Sequence, residues 1–436
     1  MEYVAHEISI LQIGDIHFDQ FELASTSVDL HDHRLDGSVA TSFPRSIKQI
    51  ISKSLQERLR DPKVHGVVIC GDISSKGSLP LFEKGVEYLS KVFSSASHLT
   101  RDQIHFVPGN HDVDYLGNMS FVDLDPNRFE ALHSSVEALG MGELTMDLRK
   151  TQLFMEVWSP MIYSVNSCLA AGAPRNVPSG IVVDAIQDLL MKRSGLNTST
   201  FTSILESELR AMGHEVLDMP LITPEILSSL VTSIRNEDTL RLPIVVAHHG
   251  FLPQGIPRLN PYAEMINGGQ VREALLSLGR PVLYLHGHVH RSIEEKIEGG
   301  PNEYNGGGPV LTVSAPTLTD GFNEIIIEMT STGEPLGVIV RRHRVNRTDG
   351  TVRLQANSSK FRLAPRRLQD ERFKPITSYV IEHTIVTGQS LLDEFGSLFD
   401  IDELKDFIAN RVWQGVFDVT ADSHMLPFHE RNFVFK

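Results

Sequence analysis

Five clusters of chemistry-bearing residues follow one another along the chain: Asp15-Ile16-His17, Gly71-Asp72, Gly109-Asn110-His111-Asp112, His248-His249-Gly250 and Gly287-His288-Val289-His290. Each stands just after a short apolar run. They supply two carboxylates (Asp15, Asp72), an amide oxygen (Asn110) and the imidazoles of His17, His248, His288 and His290. This oxygen and nitrogen set, without thiolate, suits Mn, Fe, Zn, Co or Ni and not an iron–sulfur cluster. Seven ligands are too many for one tetrahedral zinc and match two ions, between which a carboxylate can give one oxygen to each. Two ions roughly 3.5–4 Å apart clamp the attacking and leaving oxygens of a displacement at phosphorus, and they acidify a bound water so that hydroxide exists near neutral pH. A lone Asp-x-His is commonly a capping Asp beside a surface His, and Gly-Asn-His-Asp alone is ordinary turn composition. The ordered set of five carries the reading.

The elements that must position these clusters are strands. Residues 8–13, 64–70 and 103–107 are short runs rich in Val and Ile, consistent with a sheet covered on both faces. Between them lie amphipathic helices over 44–60, with Pro44 in its first turn and Ile47, Ile50, Ile51, Ser54, Leu55 and Leu59 as its inner stripe, and over 79–93. The opening is therefore β–α–β–α–β, with polar residues at the strand ends where open α/β sheets bind ligands. In extended backbone Asp15 and His17, or His288 and His290, would face one side as i, i+2 pairs. Thr223-Pro224 starts a helix to about 236; strands over 243–247 and 281–285 deliver the last two clusters, with a helix over 270–278 between them. Gly287 permits a close backbone approach.

The remainder is less articulate. Residues 18–43 form a long polar loop in which His31 and His33 read as solvated. The stretch 114–220 reads as a helical insertion or cap, with helices over 127–139, 145–157, 184–192 and 200–212 and a strand over 161–167. Strands over 310–313, 323–329 and 336–344 complete a second layer. Beyond 355 come a basic cluster (Arg362, Arg366, Arg367, Arg372), a strand over 378–386 and helices over 391–395 and 401–413. The expected organisation is a catalytic domain over 1–355 and a small C-terminal extension over 356–436.

Composition bounds the function. At 436 residues, 41% hydrophobic and 22% charged, the chain is globular and large enough for one extensive core and a second unit. A net charge of −15 disfavours broad nucleic-acid binding, although bound cations would still admit a small anion. Cys70 and Cys168 are the only cysteines, which excludes a disulfide framework and fits a reducing compartment. The first residues lack a basic and an apolar signal segment, and no apolar run reaches the roughly 20 residues of a membrane helix. A cytoplasmic protein without a membrane partner is expected.

The ordered clusters resemble the calcineurin-like metallophosphoesterases over residues 7 to about 330. The resemblance implies an α/β fold, a four-layer α/β/β/α sandwich with a dimetal site at its apex. It implies that Asp15, His17 and His290 hold one ion, that Asn110, His248 and His288 hold the other, and that Asp72 bridges, with Mn or Fe favoured. It further implies catalytic roles for His111, facing the substrate phosphate, and for Asp112, accepting the ring hydrogen of His111. The first His of a pair is usually the ligand, so His249 is left as a neighbour. Ser/Thr protein phosphatases of the superfamily carry Asp-Arg-Gly where this chain has Asp72-Ile73-Ser74, and favour Glu at Asp112. The form is closer to bacterial phosphodiesterases similar to the cyclic-nucleotide enzymes. The implied substrate is a phosphate ester of nucleotide type, with a nuclease or monoesterase as the alternative and an inactive binding scaffold as the least favoured reading. The C-terminal extension could serve oligomerisation or a partner protein, against the simpler expectation that it packs on its own chain.

Overall fold

The structure, a computed structural model, describes residues 6–19, 21, 47–75, 77, 79–113, 129–138, 140, 142–156, 159–169, 171, 220–237, 241–253, 265–298, 308–346, 351–363, 371–420 and 426–436. His31, His33, Arg366, Arg367 and the helices expected over 184–192 and 200–212 lie outside these residues.

The first sheet is built on β1 (His6–Ile13), β2 (Val64–Ile69) and β3 (Ile104–Phe106), parallel neighbours. Helices α1 (Ile47–Leu59) and α2 (Leu79–Phe93) connect them, and α3 (Glu130–Ala138) leads to β4 (Glu143–Leu144) at the edge. The second sheet begins with β5 (Leu148–Gln152) antiparallel to β6 (Met161–Val165). It continues through α4 (Pro224–Arg235), β7 (Pro243–Val246), α5 (Gly268–Leu276), β8 (Val282–His286), β9 (Glu294–Ile297) and β10 (Val310–Ser314), in the strand order β5-β6-β7-β8-β10-β9. As read from sequence, Thr223 caps α4, its side chain accepting from the Ile226 amide. The chain then returns to the first sheet with β11 (Gly321–Met329), antiparallel to β1, followed by β12 (Pro335–Asn346), β13 (Thr351–Leu354) and β14 (Ser359–Arg362).

Alternation along each strand decides which layer it serves. Ile8 and Ile10 of β1 join Val68, Ile244, Leu283, Leu311, Ile325 and Val338 in an apolar core between the two sheets. Leu11 and Ile13 point the other way, into a core shared with Ile51, Leu55, Phe82 and Leu89 of α1 and α2. Tyr163, Val245 and Tyr284 of the second sheet likewise pack with Leu230 of α4 and Leu275 of α5. The succession is helices, sheet, sheet, helices, the expected four layers.

Three expectations are corrected. Residues 145–156, the described part of the helix expected over 145–157, are not helical. The spacing of Met146, Leu153, Phe154 and Val157 imitates a helical stripe, but ladder pairing of Leu148–Gln152 with Met161–Val165 overrides local preference. Likewise β11 and β12 extend the first sheet rather than the second, because β11 finds the free side of β1. The third is the strand expected over 378–386. The chain there is α6 (Lys374–His383), with Pro375 in its first turn, and only β15 (Ile385–Thr387) is extended.

The C-terminal part has its own core. α6, α7 (Gly388–Phe395), α8 (Ile401–Trp413) and the sheet of β15, β16 (Phe417–Val419) and β17 (Asn432–Phe435) enclose Val380, Leu391, Phe395, Ile408, Phe417 and Phe433. It docks on the β11–β12 hairpin. Trp413 Nε1 donates to Glu328 Oε2 at 2.8 Å, and the Ser331 amide donates to Asp406 at 2.9 Å.

Candidate metal centre

All five clusters stand at the C-terminal ends of parallel strands. Asp15 and His17 follow β1, Asp72 follows β2, Asn110, His111 and Asp112 follow β3, His248 and His249 follow β7, and His288 and His290 follow β8. The strand ends are stitched together by backbone hydrogen bonds: Asp15 N to Gly71 O (3.2 Å), His17 N to Asp72 O (2.8 Å) and Gly287 N to His248 O (2.9 Å). The two sheets meet where the His288 amide donates to Asp15 Oδ1 at 2.9 Å.

The i, i+2 pairs converge for a reason other than extended backbone. Among the described residues six non-glycines have positive φ, and five of them are Asp15 (48°), His17 (43°), Asp72 (56°), His288 (68°) and His290 (58°). Left-handed backbone costs a residue with a Cβ on the order of 1–3 kcal/mol, and such residues collect where function over-determines the geometry. Here the strain turns the chain sharply after β1, β2 and β8 and aims the ligands there inward. The glycines serve the same crowding. Gly71, at φ 86°, has no room for a Cβ, which would lie 2.6 Å from His248 Nδ1; one on Gly287 would lie 2.7 Å from Cys70 O.

The ligand atoms fall into two groups, each within 4.8 Å of one another: Asp15, His17, Asp72 and His290, and His248, His249 and His288. In the first, His17 Nε2 is 3.2 Å from His290 Nε2, and His290 Nε2 is 3.6 Å from Asp15 Oδ1. In the second, Asn110 Oδ1 is 2.8 Å from His248 Nε2 and 3.3 Å from His288 Nδ1. Asp72 lies between them, its Oδ2 3.6 Å from His17 Nε2 and 3.5 Å from His248 Nε2. Its Oδ1 accepts from the His111 amide at 3.0 Å, whereas Oδ2 is buried without a hydrogen bond. A buried, unsatisfied carboxylate oxygen needs a cation. His248 Nδ1 lies 2.7 Å from the Cys70 carbonyl, which sets Nδ1 as the protonated nitrogen and leaves the Nε2 lone pair facing Asp72 and Asn110.

Residues 8–292, more than half of the 436, match the family model described as calcineurin-like phosphoesterase. The chain belongs to this family. The calcineurin-like phosphoesterase is thus a metal-dependent phosphoester hydrolase, and the Asp and His groups just described are chemically fit to hold the ions of its dimetal family. Among solved structures it is similar to a dimetal phosphatase from Danio rerio, with 11% identity and a TM-score of 0.44 over 82% of this chain and 99% of that one. A putative 5′-nucleotidase from Staphylococcus aureus, in complex with alpha-ketoglutarate, is similar over 86% of this chain and 59% of its own, with 9% identity and a TM-score of 0.39. An NAD nucleotidase from Haemophilus influenzae is similar over 94% and 60%, with 13% identity and a TM-score of 0.33. No curated protein matches the chain.

In this calcineurin-like phosphoesterase, burial and the neighbouring charges together set the titration of the centre. Burial lowers the pKa of His17 against the pull of Asp72. Burial alone would raise Asp72, yet His248, His111 and His17 around it hold its carboxyl well below the usual range. Asp112 is pushed up to about 7 by burial and by the neighbouring Asp72.

The surroundings of His111 and Asp112 differ from expectation. His111 is half-buried at the rim, its ring centred 5.2 Å from that of His17. Asp112 is wholly buried and does not accept the ring hydrogen. Its oxygens take backbone amides instead, Oδ1 from Ser74 at 3.1 Å and Oδ2 from Gly109 at 2.9 Å, and so tie the loop after β2 to the loop after β3. The physical reason is reach, since the short Asp112 side chain inside a tight turn meets the amides of Gly109 and Ser74 first. His249, left as a neighbour, stands within the second ligand group, its Nδ1 3.0 Å from Ser167 Oγ. Ser167 and Ser74 were not singled out from sequence. Their signal was position, just beyond β6 and β2, rather than residue type.

Proposed function

We propose that the chain is a phosphodiesterase acting on nucleotide-type substrates, with two divalent ions, Mn or Fe before Zn, Co or Ni. The observation that carries this reading is Asp72 Oδ2, buried and bare between the imidazoles of His17 and His248. In this reading Asp15, His17 and His290 would hold one ion, Asn110, His248 and His288 the other, and Asp72, whose Oδ2 faces both groups, would bridge. The ions, when bound, supply Lewis-acid activation of water and neutralise charge at phosphorus. The chain's residues do the rest. His248 keeps its Nε2 aimed through Cys70. His111, exposed enough to meet substrate and without a hydrogen bond on its ring among the described residues, contacts the phosphate oxygens and donates a proton to the leaving oxygen. Asp112 acts as a positioning residue that locks the two loops bearing Asp72 and Asn110.

The diester preference is supported by the absence of Asp-Arg-Gly after Asp72 and by Asp112 in place of Glu. The net charge of −15 opposes long nucleic acid as the habitual substrate. The described residues through Leu363 form the catalytic unit, and the described residues from 371 onward the extension, a division supported by the cluster the latter builds, to which the first sheet adds Leu336. A boundary at 355 falls inside the first sheet, between β13 and β14.

The test is hydrolysis of bis-p-nitrophenyl phosphate against p-nitrophenyl phosphate by metal-stripped protein resupplied with Mn, with His111→Ala beside it. Diester preference, reduced about 100-fold or more in the variant, is expected. Monoester preference would move the reading to a phosphatase. Turnover of neither ester with Mn, Fe, Zn, Co or Ni would leave a binding scaffold.

A further inference from the structure

Just beneath the ligand loops, one row of polar side chains crosses the inner face of the first sheet. Gln12, Asn323 and Arg342 are register partners on β1, β11 and β12. Each reaches over to the second sheet. Gln12 Nε2 donates to the carbonyls of His286 (3.0 Å) and Val313 (2.9 Å). Asn323 Nδ2 donates to Ser314 O (2.9 Å) and to Gln12 Oε1 (3.0 Å), while Ser292 Oγ donates to Asn323 Oδ1 (3.0 Å). Arg342 Nε donates to Glu294 Oε1 at 2.8 Å. Gln12 and Asn323 are 0% exposed, and every amide hydrogen and oxygen of the pair is used.

Below this row the space between the sheets is filled by Ile, Val and Leu. A satisfied polar pair in such a core adds little net stability over an apolar pair of the same shape. What it adds is distance and register, since apolar layers can slide while hydrogen bonds of set length and direction cannot. The row lies three residues before Asp15 on β1 and two before His288 on β8. Above it, Ala315 N donates to His286 O at 2.7 Å and Gly14 bridges Thr317, which carries the register up to the ligands.

We infer that Gln12 and Asn323 are positioning residues for the metal centre. They hold the Asp15–His17 loop of one sheet and the His288–His290 loop of the other at the separation their ligand atoms need. Neither residue supplies a donor atom to the centre; both act through the backbone between themselves and the ligands. The inference rests on the metal-centre reading above.

The test compares the parent with Gln12→Met/Asn323→Leu, which removes both partners together, and with Gln12→Met alone should the double variant not fold. The control is Glu324→Gln, next to Asn323 on β11 but on the face toward α1, where Arg58 and Ser9 meet it. Metal-stripped proteins are titrated with Mn²⁺ by calorimetry, and Tm is read in parallel. The expected result is a folded variant whose Mn²⁺ affinity falls about 10–100-fold, as loss of ligand-orienting groups does elsewhere, beside a control of lower Tm and parental affinity. Parental affinity in a folded variant would overturn the inference, and so would an equal loss of affinity in the control. Failure of the parent itself to take up Mn²⁺ would remove the metal-centre reading and this one with it.

Discussion

Asp72 is the residue on which the chemistry turns. Its carboxylate is buried among three imidazoles, with one oxygen on the His111 amide and the other bare. Asp72→Asn keeps the shape and the amide contact but removes the charge and one lone-pair-bearing oxygen between the groups. We expect its metal content after dialysis to fall below that of the parent and kcat/KM to drop about 100-fold or more; retention of two ions per chain would contradict a bridging role. Asp112 makes the contrasting case. Because it holds Gly109 and Ser74 and not the ring of His111, Asp112→Asn should lower kcat and Mn²⁺ affinity together, without the selective loss of leaving-group protonation expected of His111→Ala. A poor leaving group such as an alkyl phosphate ester, compared with p-nitrophenol, separates the two, since only loss of the proton donor makes the rate more sensitive to the leaving group.

At the scale of elements, the site depends on how strands end. Parallel β1, β2 and β3 deliver three clusters to one edge, and β7 and β8 deliver two to the facing edge. The turns after β1, β2 and β8 are backbone in the left-handed region, affordable only because the neighbouring loops hold it. Gly71→Ala is expected to destabilise the protein by about 2 kcal/mol or more and to displace His248, read as lower Tm and weaker Mn²⁺ binding in one variant. Glu324 ties β1, α1 and β12 on the other face. It accepts from Ser9 Oγ (3.0 Å), Arg58 Nη2 (2.5 Å) and His343 Nε2 (3.0 Å). Burial opposes its charge, but His343, Arg58 and Ser9 outweigh burial and hold its pKa at about 2. A folded pKa below the unfolded one contributes stability above about pH 4.3, lost as pH falls toward 2. Urea unfolding between pH 6 and pH 3 should therefore show a fall on the order of 2 kcal/mol that Glu324→Gln flattens.

The whole molecule joins two cores of different kinds. The sandwich buries apolar clusters on both faces of its sheets, whereas the C-terminal unit builds a cluster of its own that takes in Leu336 of β12 and so joins it to the sandwich along a seam. In that seam Gly337 lies so close to Trp413 that a Cβ would come within 2.4 Å of the indole. Trp413→Ala removes both the packing and the bond to Glu328 and is expected to cost about 2–4 kcal/mol. Hydrogen exchange should quicken along β11 and β12, with Mn²⁺ affinity unchanged, since the seam is at the end of β11 remote from the ligands. No helix among the described residues is long and apolar enough to cross a membrane.

The five ligand clusters, their order and the strands before them were legible in the sequence, because a metal centre demands particular atoms and a covered parallel strand demands a continuous apolar run. Thr223-Pro224 was legible for a similar reason, a cap being a local event. What the tertiary structure decided is what depends on partners distant in the chain. The stretch 145–157 became strand because β6 offers a ladder, β11 joined the first sheet because one side of β1 is free, and Asp112 turned to amides because Ser74 arrives from another loop. The left-handed turns at Asp15, His17, Asp72, His288 and His290 belong to the same class: Asp and His tolerate that backbone better than most residues, but the tolerance does not select it, and the packed strand ends of two sheets hold it in place.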